Sequence, residues 1–142
     1  MVTLLWGSSP FKTLQTAMLE FGGSLNPQSY GFANRNQPLN DSTGIVTIAE
    51  DGNLVVLNGQ KQIIWSSNVS NASANTTSQF SDSGKLVLTE ATTGNILWDS
   101  FQEPSDTLMP GMKLSSNIRT GMKVELTSWK SPTNPSVGSF SA

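Results

Sequence analysis

Two stretches of the chain repeat each other: DGNLVVLNGQKQIIWSS at 51–67 and DSGKLVLTEATTGNILWDS at 82–100. Each copy runs from a glycine through a polar residue and an apolar run to a polar loop. It then continues through an isoleucine to a tryptophan, with a serine two residues later. Gly52 and Trp65 are 13 residues apart, Gly84 and Trp98 are 14 apart, and the glycines are offset by 32. This period predicts a β-hairpin unit whose copies bury their apolar faces against each other.

The residues inside and around the repeats favour strands and turns. Asn58-Gly59 is a strong hairpin signal between two apolar runs, and the loop EATTG at 90–94 separates the two runs of the second copy. GIVTIA at 44–49 and KVELTSW at 123–129 predict further strands. The stretch at 8–23 differs, because its apolar residues follow helical spacing between a proline and a glycine pair. It predicts a short helix at about 10–21 that packs on the core.

The tryptophans are the largest candidate core residues. Trp65 and Trp98 occupy equivalent positions in the two copies, so both should point into a shared core, with Trp129 as a third member. Each tryptophan buries roughly 200 Å² when it is packed inside a protein. We therefore interpret the three tryptophans as core residues rather than as platforms for a ligand.

Composition excludes several classes of function. Net charge is −2, so no basic surface for nucleic acid is indicated. The chain has no Cys and no His, which removes disulfides, thiol and imidazole catalysis, and the usual transition-metal ligands. No phosphate-binding glycine motif and no apolar run of about 20 residues is present. We expect a protein that is not an enzyme and has no cofactor, no metal site and no membrane span in this chain.

Candidate N-glycosylation sequons occur at four asparagines: Asn40, Asn68, Asn71 and Asn75. Three of them lie within NVSNASANTT at 68–77, which favours a glycosylated surface loop of an exported protein. The alternative is a polar loop that is simply rich in these residue types. The first residues, MVTLLWGSSP, lack the basic start and long apolar core of a secretory signal.

Four longer stretches resemble the bulb-type, mannose-binding lectin domain of plant S-locus-like receptor kinases. They are NRNQPLNDSTGIVTIAEDGNLVVLNGQ at 34–60, IIWSSNVS at 63–70, ILWDSFQEPSDTLMPGMKL at 96–114 and LTSWKSPTNPSVGSFS at 126–141. The resemblance implies an all-β fold, a type II β-prism of three hairpin sheets about a pseudo-threefold axis. It also implies an extracellular or cell-surface location.

The chain departs from this family pattern at its start. Residues 1–33 replace most of the aromatic-rich first strands, so we expect a divergent N-terminal segment, an incomplete first sheet and a lectin domain at 34–142. A truncated or shortened relative, without function, is one interpretation of this departure. We treat the whole as a single domain.

The resemblance also implies a sugar site in the first copy. The family motif Gln-x-Asp-x-Asn-x-Val-x-Tyr places four polar groups and a valine on one strand face, because residues two apart project to the same side. Here Asp51, Asn53 and Val55 match, whereas Ala49 and Leu57 replace the Gln and the Tyr. We predict a weak mannose-type site at Asp51, Asn53, Val55 and Leu57. The alternative is that this stretch is only a tight turn leading into a strand.

The second copy retains less of the motif. Its matching positions are Ser81, Ser83, Lys85, Val87 and Thr89. Only the valine agrees with the family, and a lysine donates but does not accept hydrogen bonds. We therefore expect a degenerate second site at Ser83, Lys85 and Val87 that does not bind mannose.

Two functions remain open from the sequence. The first is a carbohydrate-binding module with weak sites for mannose-type glycans. The second is a module that recognises a protein partner in defence or self-recognition signalling after sugar binding has been lost. A homodimer stays open in either case.

Overall fold

The two copies of the repeat fold as two matching antiparallel sheets. The computed structural model describes residues 33–39, 43–81 and 83–142. The first three-stranded sheet contains β1 (Ile45–Ile48), β2 (Leu54–Leu57) and β3 (Ile63–Ser66) in that order. The second contains β4 (Thr76–Phe80), β5 (Leu86–Glu90) and β6 (Ile96–Asp99), again in chain order.

The rest of the described chain forms two smaller hairpins. A 3-10 turn at Ser100–Gln102 follows β6, and β7 (Ser115–Ser116) pairs with β8 (Lys123–Val124). Then β9 (Thr127–Ser131) pairs with the longer β10 (Asn134–Ser141). All of these pairings are antiparallel. The prediction of an all-β fold made of small hairpin sheets, as in a β-prism, is confirmed.

The two sheets pair their second and third strands in the same register. Val56 is opposite Trp65 and Leu88 is opposite Trp98, and each pairing is followed by a register shift one residue further along the middle strand. The extra residue of such a β-bulge bends and twists the strand that carries it. Both predicted hairpins are therefore confirmed, and the structure adds an equivalent register shift in each.

The core lies where the middle strands of the two sheets face each other. Alternate residues of β2 and β5 point into the core, where they contact Leu39 from the segment before β1 and Trp98 from β6. The buried cluster consists of Leu39, Leu54, Val56, Leu86, Leu88 and Trp98. Each of these side chains is at most 5% exposed. Each buried aliphatic side chain contributes about 1.5–3 kcal/mol relative to its exposed state. Mutual burial of equivalent faces explains why the unit is repeated.

The entry to each middle strand is a tight turn that requires glycine. Gly52 has φ +83° and Gly84 has φ +78°, both in the left-handed region that other residues rarely adopt. The Gly52 N–H donates to the carbonyl of Ala49, and the Gly84 N–H makes the equivalent bond to the carbonyl of Ser81, each at 2.9 Å. A side chain at Gly52 would in addition collide with the carbonyl of Ser73.

The serine two residues after each tryptophan accepts a hydrogen bond from the first residue of the middle strand. The Leu54 N–H donates to the Ser67 hydroxyl and the Leu86 N–H donates to the Ser100 hydroxyl, each at 3.1 Å. Both serines are buried. An N–H at the end of a buried strand needs a partner, since leaving it unpaired costs about 1–3 kcal/mol. The serine is therefore part of the repeated unit for a structural reason.

A segment before β1 docks on the last hairpin. The Arg35 guanidinium, 8% exposed as a residue, donates to the carbonyl of Thr127 at 3.2 Å and also to its hydroxyl. The Ser136 hydroxyl donates to the Arg35 carbonyl at 3.2 Å. Burial lowers the pKa of Arg35, and the nearby Asp106 carboxylate opposes that shift. These contacts connect residues near position 35 to β9 and β10, about a hundred positions later in the chain.

Several sequence-based expectations fall on residues that the structure does not describe. The helix at about 10–21, the divergent segment at 1–33 and the incomplete first sheet lie wholly or almost wholly outside the described residues. They stay predictions, as does the division into segments at 33/34.

Candidate carbohydrate site

The first-copy site begins at the turn that leads into β2. Asp51 is exposed, and one of its carboxylate oxygens accepts the backbone N–H of Asn53 at 3.0 Å. The other oxygen accepts the side-chain amide of Asn53, also at 3.0 Å. An Asp two residues before its bonded N–H forms an Asx turn, which explains why an Asp-Gly-Asn sequence begins the strand. The carboxylate is thus held in one orientation at the surface.

Electrostatics keep that carboxylate ionised. The pKa of Asp51 is lowered below its ordinary value of 3.8, first by the hydrogen bond from the Asn53 backbone N–H and then by the bond from the Asn53 side chain. Hydrogen bonds donated to a carboxylate favour its charged form. Asp51 is therefore an acceptor at neutral pH.

The Asn53 side chain is used by the protein itself. Its Nδ2 donates to Asp51 and, at 3.4 Å, to the carbonyl of Val69. Its Oδ1 accepts the Ser67 hydroxyl at 2.9 Å and the Val69 N–H at 2.7 Å. Asn53 is 6% exposed. Since an amide has two donors and two acceptor lone pairs, this one has no hydrogen-bonding capacity left for a ligand.

The remaining motif positions offer a ligand little. Val55 is only 2% exposed, and it is opposite Thr47 on β1 and Ser66 on β3. Leu57 and Ala49 are half-buried and have no side-chain hydrogen-bonding group. Asp51 is consequently the one motif side chain that is both exposed and polar.

In the second copy, the matching turn is built differently. The Ser81 hydroxyl lies 2.8 Å from the Ser83 hydroxyl and donates to the Lys85 carbonyl at 3.1 Å. Lys85 Nζ lies 3.7 Å from Asp99 Oδ2, and Val87 is 5% exposed. Ser83 replaces the carboxylate of Asp51, and Lys85 replaces the amide of Asn53. This turn therefore presents different chemistry from the first.

Three of the four candidate glycosylation asparagines are described and exposed. Asn68 and Asn71 have φ values of 50° and 63°, as in tight turns. Asn75 donates its side-chain amide to the Thr92 hydroxyl at 2.9 Å. Asn40 lies outside the described residues. The loop that carries Asn68 and Asn71 is connected to the Asp51 turn through Val69.

The tryptophans occupy different environments. Trp98 is 5% exposed, and its ring meets that of Trp65 edge to face with centroids 5.5 Å apart. Trp65 is partly buried and packs against the core cluster. Trp129 is half-buried in β9, opposite Val137 of β10. The first two tryptophans meet at the junction of the two sheets, as edge-to-face aromatic pairs do in cores.

Sequence reasoning missed the roles of Ser67 and Val69. Ser67 accepts from Leu54 and donates to Asn53, and the Val69 backbone holds the same amide. A signal for Ser67 was present, because a serine follows each tryptophan by two residues. Nothing local marked Val69, since its contribution comes from its backbone.

Two negative findings apply to the described residues. Among 33–39, 43–81 and 83–142, no group of three or more acidic residues is placed to hold a metal ion. In the same part of the chain no helix is long and apolar enough to cross a membrane.

The small antiparallel sheets built from a repeated hairpin are consistent with a β-prism lectin domain. The family model described as D-mannose binding lectin matches residues 32–130. Since this match covers more than half of the chain, the chain belongs to the D-mannose binding lectin family, which supports its assignment as a carbohydrate-binding module.

Curated relatives from Arabidopsis thaliana agree with this assignment. The G-type lectin S-receptor-like serine/threonine-protein kinase At1g11300 is 50% identical over 113 residues, which cover 78% of the chain and 14% of that protein. A second such kinase, SD1-13, is 46% identical over 114 residues, with the same coverage. The putative kinase of this type At1g61610 is 39% identical over 137 residues, or 92% of the chain and 16% of that protein. The chain thus spans about one seventh of these relatives and corresponds to their lectin region.

Proposed function

We propose that the chain is a carbohydrate-binding module with one weak mannose-type site at the Asp51 turn. We further propose that it acts at the cell surface or outside the cell, as the ectodomain of a receptor-kinase-like protein. The family match supports the ligand class. The relatives are named receptor-like kinases, which supports the location.

The observation that carries the proposal is the state of the Asp51 carboxylate. It is exposed, ionised and oriented by two hydrogen bonds from Asn53. A carboxylate has about four acceptor positions, so about two remain for the hydroxyl groups of a sugar. Charge-assisted bonds to an ionised acceptor are stronger than bonds between neutral groups.

The same geometry makes the site weak. The amide of Asn53 is fully bonded inside the protein, and Leu57 has no hydroxyl group to offer. A millimolar site corresponds to about −4 kcal/mol of binding free energy. Each missing hydrogen bond removes roughly 0.5–1.5 kcal/mol of that. We therefore expect a Kd of about 10–100 mM for one mannose unit, and useful binding only to clustered glycans.

An NMR titration with methyl α-mannoside up to about 500 mM tests the site, because that range extends several-fold beyond the upper end of the expected Kd. The amide signals of Asp51, Asn53 and Val55 should shift together and saturate on one curve. Absence of shifts at these three amides would refute the proposal.

A pair of variants in the same turn distinguishes an effect of net charge from a specific role of the Asp51 carboxylate. D51N removes the ionised acceptor, and E50Q removes a neighbouring exposed carboxylate that makes no hydrogen bond to the described part of the chain. D51N should abolish the mannoside shifts, whereas E50Q should leave them unchanged. An equal loss in both variants would indicate that net charge matters rather than a site at Asp51.

A second candidate function is recognition of a protein partner, and one feature of the β7–β8 hairpin favours it. Ile118 is 98% exposed and Met122 is 72% exposed at the tip of that hairpin. Exposed apolar side chains that lie together are typical of interaction surfaces. Gel filtration of the wild type and an I118S/M122S variant would show whether the tip mediates homodimer formation. The same variant would serve as the negative control in a pull-down from plant extracts.

A further inference from the structure

The second copy of the repeat carries a hollow that the family motif does not account for. It is shallow and open, with a volume of about 210 Å³. Its lining comes from the turn before β5, from β6, the 3-10 turn, the following loop and β8, and includes Lys85, Asp99, Phe101, Gln102, Lys113 and Val124. Pockets for drug-sized ligands begin at about 300 Å³, so this one suits a single sugar ring.

Two ammonium groups give the hollow a net positive charge. Lys85 Nζ lies 3.7 Å from the Asp99 carboxylate, a distance longer than a normal hydrogen bond. Asp99 already accepts the Phe101 N–H at 3.0 Å. Lys113 is exposed and has no ion pair within the described part of the chain. Two cations and one anion leave a charge of about +1 where a sugar would lie.

The hollow also has an apolar side and an amide. Phe101 is half-buried, and the Lys85 ammonium lies 5.7 Å from the centre of its ring. The negative face of an aromatic ring attracts cations and also the slightly positive C–H groups of a sugar. The Gln102 amide makes only a long contact of 3.4 Å with Asp99, so its oxygen can accept from a sugar hydroxyl.

We propose that the hollow around Lys85, Phe101 and Lys113 binds a carboxylated sugar, such as a hexuronate unit of an acidic polysaccharide. The sugar carboxylate would lie between the two ammonium groups, the ring against Phe101 and one hydroxyl on Gln102. Lys85 occupies the position in the second copy that Asn53 occupies in the first. This lysine thus changes the ligand class of the second copy instead of only abolishing mannose binding. This proposal shares no residue with the Asp51 site, so either can fail without the other.

NMR titrations of the full 142-residue chain with D-galacturonate, D-galactose and acetate test the proposal. Galacturonate should shift the amides of Gln102, Lys113 and Val124, while the Asp51 turn stays unchanged. Galactose and acetate should each bind at least about twofold more weakly. Galactose binding as tightly as galacturonate would overturn the role of charge, and acetate binding as tightly would overturn the role of the ring.

Two lysine variants provide a matched test. K113Q removes one cation of the hollow, and K130Q removes an exposed cation on β9. K113Q should weaken galacturonate binding about two- to fivefold, as expected for loss of one exposed ion pair, whereas K130Q should not weaken it. Added salt should weaken binding to the wild type, because exposed charges are screened. An unchanged affinity in K113Q, or no galacturonate shifts at all, would refute the proposal.

Discussion

Replacing Asn53 with alanine should loosen the entry to β2. The Asn53 amide joins the Asp51 turn to the loop at 67–69 through both of its ends. In the N53A variant, the Ser67 hydroxyl and the Val69 N–H both lose their partner on the Oδ1 atom. Because Ser67 also accepts from Leu54, the change reaches the first residue of the strand.

The magnitude follows from the two short bonds that Oδ1 accepts, at 2.9 Å and 2.7 Å. Each contributes a net 0.5–1.5 kcal/mol, so together they stabilise the fold by about 1–3 kcal/mol. The bond to Asp51 is left out because that carboxylate is exposed to water, and the bond to the Val69 carbonyl is left out because at 3.4 Å it is long and therefore weak. We expect a loss of about 2 kcal/mol, or about 4–8 °C in Tm for a domain of this size.

Urea unfolding followed by tryptophan fluorescence measures this loss, with Q60A as the control. Gln60 also carries a side-chain amide, but it is exposed at the tip of the β2–β3 loop. Among residues 33–39, 43–81 and 83–142, its only hydrogen bond runs from its backbone N–H to Asn58 Oδ1. Q60A should change the free energy of unfolding by less than about 0.5 kcal/mol. If N53A is as stable as Q60A, the amide does not hold the strand entry and the reasoning is wrong.

The acid titration of Asp51 should respond to the same variant. Its pKa is depressed in the folded state, so its ionised form stabilises the fold above the ordinary value of 3.8. That contribution is lost as pH falls through the lower folded-state pKa. N53A should raise the pKa of Asp51 only part of the way to 3.8, because the backbone N–H bond, the larger cause, is retained. A ¹³C NMR titration of the carboxyl carbon measures this, and an unchanged pKa in N53A would contradict the assignment.

Five further substitutions can be checked by the same urea unfolding. G94A should cost about 1 kcal/mol, because φ is +71° there but no atom lies within 4 Å of an added Cβ. G52A should cost at least about 2 kcal/mol, since its Cβ would also collide with a backbone carbonyl; equal costs would exclude the collision. R35K should lose about 1.5–3 kcal/mol, because an ammonium cannot span the β9 carbonyl and hydroxyl that Arg35 contacts. W98A should cost about 3–5 kcal/mol, and W65A less because Trp65 is only partly buried; the reverse order would contradict the core described above.

Local pattern was sufficient to predict the repeated hairpins. Hydrophobic alternation and turn residues act over a few positions, so the strands around 54–66 and 86–99 can be read directly from the chain. The glycines at 52 and 84 could be placed at turns for the same reason, because only a residue without a side chain readily adopts their φ values. The Asn58-Gly59 signal located a hairpin correctly, although the residue with positive φ in its loop is Lys61 rather than Gly59.

The local pattern could not predict which side chains of the sugar site remain available to a ligand. The motif shows that Asp51 and Asn53 have the right residue types, but only the folded chain shows that the partners of Asn53 lie 14 and 16 residues away. Val69 contributes backbone atoms, which carry no signature in the sequence. Whether a polar side chain faces a ligand or the protein depends on which loop packs against it.

The sequence by itself determined the all-β class, the hairpin repeat and the family to which the chain belongs, because these depend on local spacing and on residue identity. The tertiary structure decided which polar groups are left for a ligand. It committed the Asn53 amide to the 67–69 loop and buried Arg35 against β9, 92 residues away. It also gathered Lys85, Phe101 and Lys113 from separate segments into one hollow. Long-range hydrogen bonds and packing determine the surroundings of these side chains. Such contacts form only when distant segments of the chain come together in the fold.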